Sequence, residues 1–207
     1  MNERTIRRPK GPAIFFSYQA ITYFLTVLSI ITMTLIPQIF DKTEDISPLG
    51  IIRTLLFGIA NLFMSVTLFS KKYNNTLLIA TGALLIPSIF GLFSNITPYS
   101  IIDILFGLLL IAFTYIMVKM PETSLRKKSV KLRFFFPLFQ FVYIIISTIQ
   151  SIQILRENVT ETMGAPLDSA MNNATILIPS VASAISGLLI TLCHVLLTNW
   201  LADPYEK

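Results

Sequence analysis

The sequence predicts an all-α membrane protein of six transmembrane helices in one bundle, with both termini on the cytoplasmic side. Six apolar stretches separated by polar connections lead to that fold class. They cover residues 13–40, 49–70, 76–93, 100–118, 134–155 and 176–201. Each reaches or approaches the ~20 residues that a helix rising ~1.5 Å per residue needs to cross ~30 Å of hydrocarbon. The orientation comes from charge. Thirteen of the sixteen Lys and Arg residues fall on one side: the N-terminal arm, the second connection (Lys71, Lys72), the fourth connection and the tail. The first and fifth connections carry acids instead, with Asp41, Glu44 and Asp45 in one and Glu157, Glu161 and Asp168 in the other. Basic residues are retained in the cytoplasm, so the basic side is inside.

The first helix, expected over 13–40, is too long for a signal-peptide core, and no small-residue cleavage site follows it. Residues 1–10 are therefore expected to stay as a short basic arm. Gln19, Thr22, Thr26 and Ser29 follow 3-4-3 spacing on this helix. At ~100° per residue they share a face, and lipid satisfies neither amide nor hydroxyl, so the face is expected to turn inward. The second helix, 49–70, carries Arg53 near its start and Asn61 near its middle. Asn61 needs a partner in the bundle. The third helix, 76–93, contains Pro87, and the fourth, 100–118, carries Asp103 near its start.

Arg53 and Asp103 are the charges that fall inside apolar segments, at matching depth. A lone charge near mid-membrane costs roughly 2.5–3.5 kcal/mol, so the two are expected to form a buried ion pair. Its role is expected to be a latch between hairpins, with a gate or ion-coupling element as the alternative. The fourth connection holds Arg126, Lys127, Lys128, Lys131 and Arg133, expected to anchor the topology and to meet anionic lipid headgroups. Phe134–Phe136 and Trp200 lie where interfacial aromatics belong.

On the fifth helix, 134–155, Gln140, Tyr143, Ser147 and Gln150 form a second polar stripe. The two stripes suit either a lining for a polar uncharged solute or hydrogen bonding between helices, and the latter is the expected role. On the sixth helix, 176–201, Ser180, Ser183, Ala184 and Gly187 make a small-residue face for close packing. His194 is expected to bond across helices near the inner third of the bilayer. It neighbours Cys193, and adjacent residues on a helix point about 100° apart, so the two do not form a nucleophile–base pair with each other.

Comparing the chain with itself reveals an offset of 50 residues. Leu35-Ile36-Pro37-Gln38-Ile39-Phe40 recurs as Leu85-Ile86-Pro87-Ser88-Ile89-Phe90, and Pro48, Ile51, Ile52 and Leu55 match Pro98, Ile101, Ile102 and Leu105. Identities kept across a polar connection signal repeated units, so the first two hairpins are expected to be tandem copies. Pro37, Pro87 and Pro179 all fall in the outer half of the bundle. They are expected to act as helix-end features, or to bend three helices around an outward-facing cavity.

One cysteine and one histidine exclude an internal disulfide, a cysteine metal cluster and a bis-histidine haem. No cofactor and no nucleotide-binding loop is expected, and the net charge of +5 needs no nucleic acid to explain it. The expected function is that of a small non-catalytic membrane protein: an accessory, stress or immunity factor, or a subunit of a larger complex or homo-oligomer. A small-solute transporter, or the substrate-binding subunit of one, is the alternative, and a lipid-modifying enzyme is the weakest. The short connections suggest a plasma membrane location, in a bacterial inner membrane.

Overall fold

In the computed structural model, the structure describes residues 9–35, 48–70, 73, 75–94, 98–120, 124–142, 144–145, 149 and 188–203. Four helices dominate: α1 (Lys10–Leu35), α2 (Pro48–Phe69), α3 (Asn75–Ser94) and α4 (Pro98–Lys119). Each contains a stretch long and apolar enough to cross a membrane. A short α5 (Ser124–Ser129) and a 3-10 turn (Val130–Phe134) follow, then α6 over 135–142 and the apolar α7, Leu188–Ala202. Among the described residues there is no strand.

The chemistry of the ends explains the boundaries of α2 and α4. Both begin on proline, at positions 50 residues apart, and both run 22 residues. Proline suits a helix start because its missing N–H would be an orphan there anyway. Pro87 behaves differently. It lies inside α3, buried, seven residues before the helix ends, so it is not a helix-end feature. Pro37 and Pro179 lie outside the described residues.

Consecutive long helices pack on one another in chain order. Contacts between opposite ends show that they are antiparallel. Ser65, late in α2, donates to the Ala13 carbonyl early in α1 at 2.8 Å, and Ser17 lies 2.6 Å from the same serine hydroxyl. Lys119 at the end of α4 donates to Asn75 at the start of α3. The core gathers Phe16, Met64, Leu68, Leu77, Leu110 and Phe113 toward the end where α1 starts. Helix α7 closes the space between α1 and α4: His194 meets the rings of Phe16 and Phe106 at 6.2 and 4.8 Å. Phe136 of α6 stands edge-on to Phe106 and Phe113. Outward positions such as Leu28, Leu62, Val66 and Leu109 are exposed, as lipid-facing side chains of a membrane bundle are.

Several details depart from the sequence reading. The basic connection is helical at Ser124–Ser129, not an open loop. Trp200 is buried against Tyr73, with ring centroids 4.9 Å apart, instead of standing free at the interface. Phe134 and Phe135 do stand out, at 66% and 63% exposure, whereas Phe136 turns into the core. Much of the fifth and sixth expected spans lies outside the described residues.

Candidate functional site

Toward the end of the bundle where α2 and α4 begin, described residues of the helices line a cavity of about 320 Å³ reaching from Arg53 and Asp103 to Gln140 and His194. Helices α1, α2, α3, α4, α6 and α7 all contribute to its wall.

Arg53 and Asp103 each enter five residues after the proline that starts their helix. Arg53 Nη2 stands 3.7 Å from Asp103 Oδ2, and the two side chains keep 32% and 26% exposure. The sequence reading expected a buried pair. The structure makes it half-buried because both residues face the cavity and not a sealed helix contact. Two neighbours seat the arginine. Its guanidinium lies 5.6 Å from the Phe57 ring centroid, a cation–π contact. It also rests against Gly91 of α3, where an added Cβ would fall 2.8 Å from Cζ. Glycine at 91 is therefore what lets the guanidinium lie flat on α3. Arg53 Nε is buried with no hydrogen-bond partner among the described residues.

Neutral polar groups line the rest. Among the described residues Asn61 bonds within its own helix, its Nδ2 donating to the Phe57 carbonyl one turn back at 2.7 Å, and its side chain lines the cavity. Thr54 donates to the Gly50 carbonyl in the same way, at 2.8 Å. Ser88 is buried on α3, one residue after Pro87. On the far wall Gln140 Nε2 lies 3.3 Å from His194 Nδ1, across α6 and α7, and Thr191 donates to Gln140 Oε1 at 3.5 Å. Phe16, Tyr23, Phe57 and Phe106 supply aromatic surface between the polar groups.

The polar stripe of α1 does not turn inward as a whole. Gln19 is fully buried, Thr22 is half-exposed, and Thr26 and Ser29 are exposed. Ten residues at ~100° each carry Ser29 about 80° round the helix from Gln19. The threonines also need no neighbour: Thr22 and Thr26 donate to the carbonyls of Tyr18 and Thr22, at 3.0 and 2.9 Å. Hydroxyls bonded to their own helix in this way tolerate lipid. Of the second stripe, Gln140 is placed in the cavity wall. Tyr143, Ser147 and Gln150 lie outside the described residues, as do Ser180, Ser183, Ala184 and Gly187. Lys127, Lys128 and Lys131 are exposed at the opposite end of the bundle, with Arg133 half-buried beside them. Sequence reasoning missed Gly91, Thr54 and Ser88. A hint was available for Ser88, which takes the place of Gln38 in the 50-residue comparison.

Among the described residues no cluster of three or more Cys, His, Asp or Glu side chains could hold a metal ion. No family model, curated protein or solved structure matches the chain.

Proposed function

We propose that this protein takes a small polar solute into the cavity between its helices, as a transporter or as the membrane-embedded binding subunit of one. The observation behind this reading is the convergence of an ion pair and neutral hydrogen-bonding groups on one cavity between the helices. A latch that only joined two hairpins would be better packed, because a half-hydrated pair gains little. Pockets of this volume, apolar over most of the wall with a few convergent polar groups, are the usual form of small-molecule sites. Arg53 Nε supplies a buried donor that has no partner among the described residues, so the solute carries a hydrogen-bond acceptor. Asp103, Ser88 and Asn61 suit hydroxyl or amide groups on the same solute, and the aromatic wall suits its carbon face.

The accessory or complex-subunit role has no single observation behind it comparable to the cavity. No bond-making step is assigned to Cys193 and His194. We further propose a cytoplasmic location for the basic end, on the alternation of charge between connections, and a bacterial inner membrane as the setting, on the shortness of those connections. The repeat at an offset of 50 residues would make the α1–α2 and α3–α4 hairpins equivalent walls of the site.

The test is thermal unfolding of the purified protein in lipid nanodiscs against a panel of amino acids, polyols, sugars and nucleosides. A ligand that binds only the folded state raises the unfolding temperature. At least one solute should stabilise the native protein, and Ser88→Leu, which fills the cavity, should abolish that shift. The outward-facing Val66→Leu should keep it. An inert panel, or an equal shift in Ser88→Leu, rejects the proposal.

A further inference from the structure

The opposite end of the bundle holds a second cavity, of about 380 Å³, which the solute site does not use. Its walls come from segments far apart in the chain: the start of α1, the 3-10 turn, and the last turns of α7. Three charged residues line it, Lys10, Arg133 and Asp203. Opposite charges sharing a cavity would ordinarily pair, yet no ion pair joins them; among the described residues that interaction is found at Arg53 and Asp103.

The basic side of the cavity is built for an anion. Arg133 Nε is buried and has no hydrogen-bond partner among the described residues. The guanidinium lies over the Phe134 ring, 4.9 Å from its centroid, a cation–π contact. Helix α1 starts at the same place with no acidic residue in its first turn. Pro9 accepts from Ala13, so the amides of Lys10 and Gly11 precede the first intrahelical bond and have no acceptor within the helix. Backbone donors at the positive end of a helix dipole favour phosphate.

Asp203 stands on the same cavity and would repel a purely anionic occupant. A ligand that satisfies every wall therefore carries both a negative and a positive group. The cavity lies at the end of the bundle where Phe134 and Phe135 stand exposed, as aromatics do where headgroups meet acyl chains. Leu196 and the buried face of Trp200 offer an apolar wall beside the charges.

We propose that this cavity binds the headgroup of an aminophospholipid, with its phosphate on Arg133, Lys10 and the α1 amides, and its primary ammonium on Asp203. The occupant is a bilayer lipid, and the bound headgroup ties α1, the 3-10 turn and α7 together at one membrane surface.

The test is native mass spectrometry of the protein equilibrated with an equal mixture of phosphatidylethanolamine, phosphatidylcholine and phosphatidylglycerol. The native protein should retain phosphatidylethanolamine above the other two. Arg133→Gln should lower total phospholipid retention about tenfold, the scale of a lost charge-assisted hydrogen bond. Asp203→Asn should keep phospholipid but lose the preference for the primary amine. Lys128→Gln, exposed on the same basic stretch but outside the cavity, should at most lower the share of anionic phosphatidylglycerol and should keep the native excess of phosphatidylethanolamine. Thermal unfolding without lipid shows whether each variant is folded, and Arg133→Lys serves in place of Arg133→Gln if that variant is not. Equal loss in Lys128→Gln and the Arg133 variant, or unchanged preference in Asp203→Asn, would overturn the proposal. Displacement of the lipid by soluble phosphoethanolamine at millimolar concentration would overturn the bilayer as its source.

Discussion

Replacing Asp103 by asparagine leaves the Arg53 guanidinium without its counter-ion inside the bundle. At 3.7 Å and an effective dielectric of about 20, the direct attraction is roughly 4.5 kcal/mol. Water in the cavity screens it, and each side chain gives up part of its hydration to be there, so the net coupling is expected at about 1–2 kcal/mol. The single substitution costs more than that coupling, about 2–3 kcal/mol, because the stranded charge keeps its desolvation penalty. Arg53→Met alone strands the Asp103 carboxylate in the same way and should cost a similar amount. The double variant should recover to within about 1 kcal/mol of the native protein. A complete double-mutant cycle, measured by reversible unfolding in mixed micelles, reads the coupling directly. Exchanging the two residues should recover only part of the loss, because aspartate at 53 no longer uses the Gly91 seat or the Phe57 ring. Single effects that simply add, with coupling below about 0.3 kcal/mol, would refute the pairing and with it the electrostatic account of the cavity mouth.

Other expectations follow from the same geometry. Gly91→Val should displace the Arg53 guanidinium from α3 and weaken its coupling to Asp103, so its cost should be far from additive with Arg53→Met in the same unfolding assay. Ser65→Ala removes the hydroxyl that joins α2 to Ala13 and Ser17 of α1, and should cost about 0.5–1.5 kcal/mol, read as a lower unfolding temperature. Gln140→Leu takes away the partner of both His194 and Thr191 and should cost about 1–2 kcal/mol; no change in stability would remove the polar bridge between α6 and α7. For orientation, a cysteine at position 161 should react with an impermeant reagent from outside intact cells and one at 128 should not; the reverse pattern inverts the topology.

What was legible in the sequence was whatever one-dimensional hydrophobicity and helix-end chemistry decide. The second, third and fourth apolar stretches match α2, α3 and α4 within two residues at either end, because proline or polar residues fix where those helices can start. The Arg53–Asp103 pair was legible for a similar reason: two charges at equal depth in apolar segments have few other partners. The cavity was not, because no residue type announces empty space. It depends on Gly91 admitting a guanidinium and on side chains of six helices converging on one space, both matters of three-dimensional packing. The α1 stripe misled because helical spacing puts polar residues on one face but does not say that the face is buried. A threonine that bonds to its own helix carries no such information, whereas the amide of Gln19, too long and too polar for lipid, does.

The central claim is that the cavity is a hydrated space within a membrane-embedded bundle. Cysteine reactivity toward a charged methanethiosulfonate reagent tests it, because the thiolate forms only where water reaches. In a Cys193→Ala background, with the protein reconstituted in a bilayer, one cysteine is placed at Thr54 in the cavity wall and, in a second variant, at Leu62 on the outer face of the same helix. The account predicts rapid modification at 54, slowed when Ser88→Leu fills the cavity, and silence at 62. Silence at both positions, or modification at 62 as fast as at 54, would contradict it.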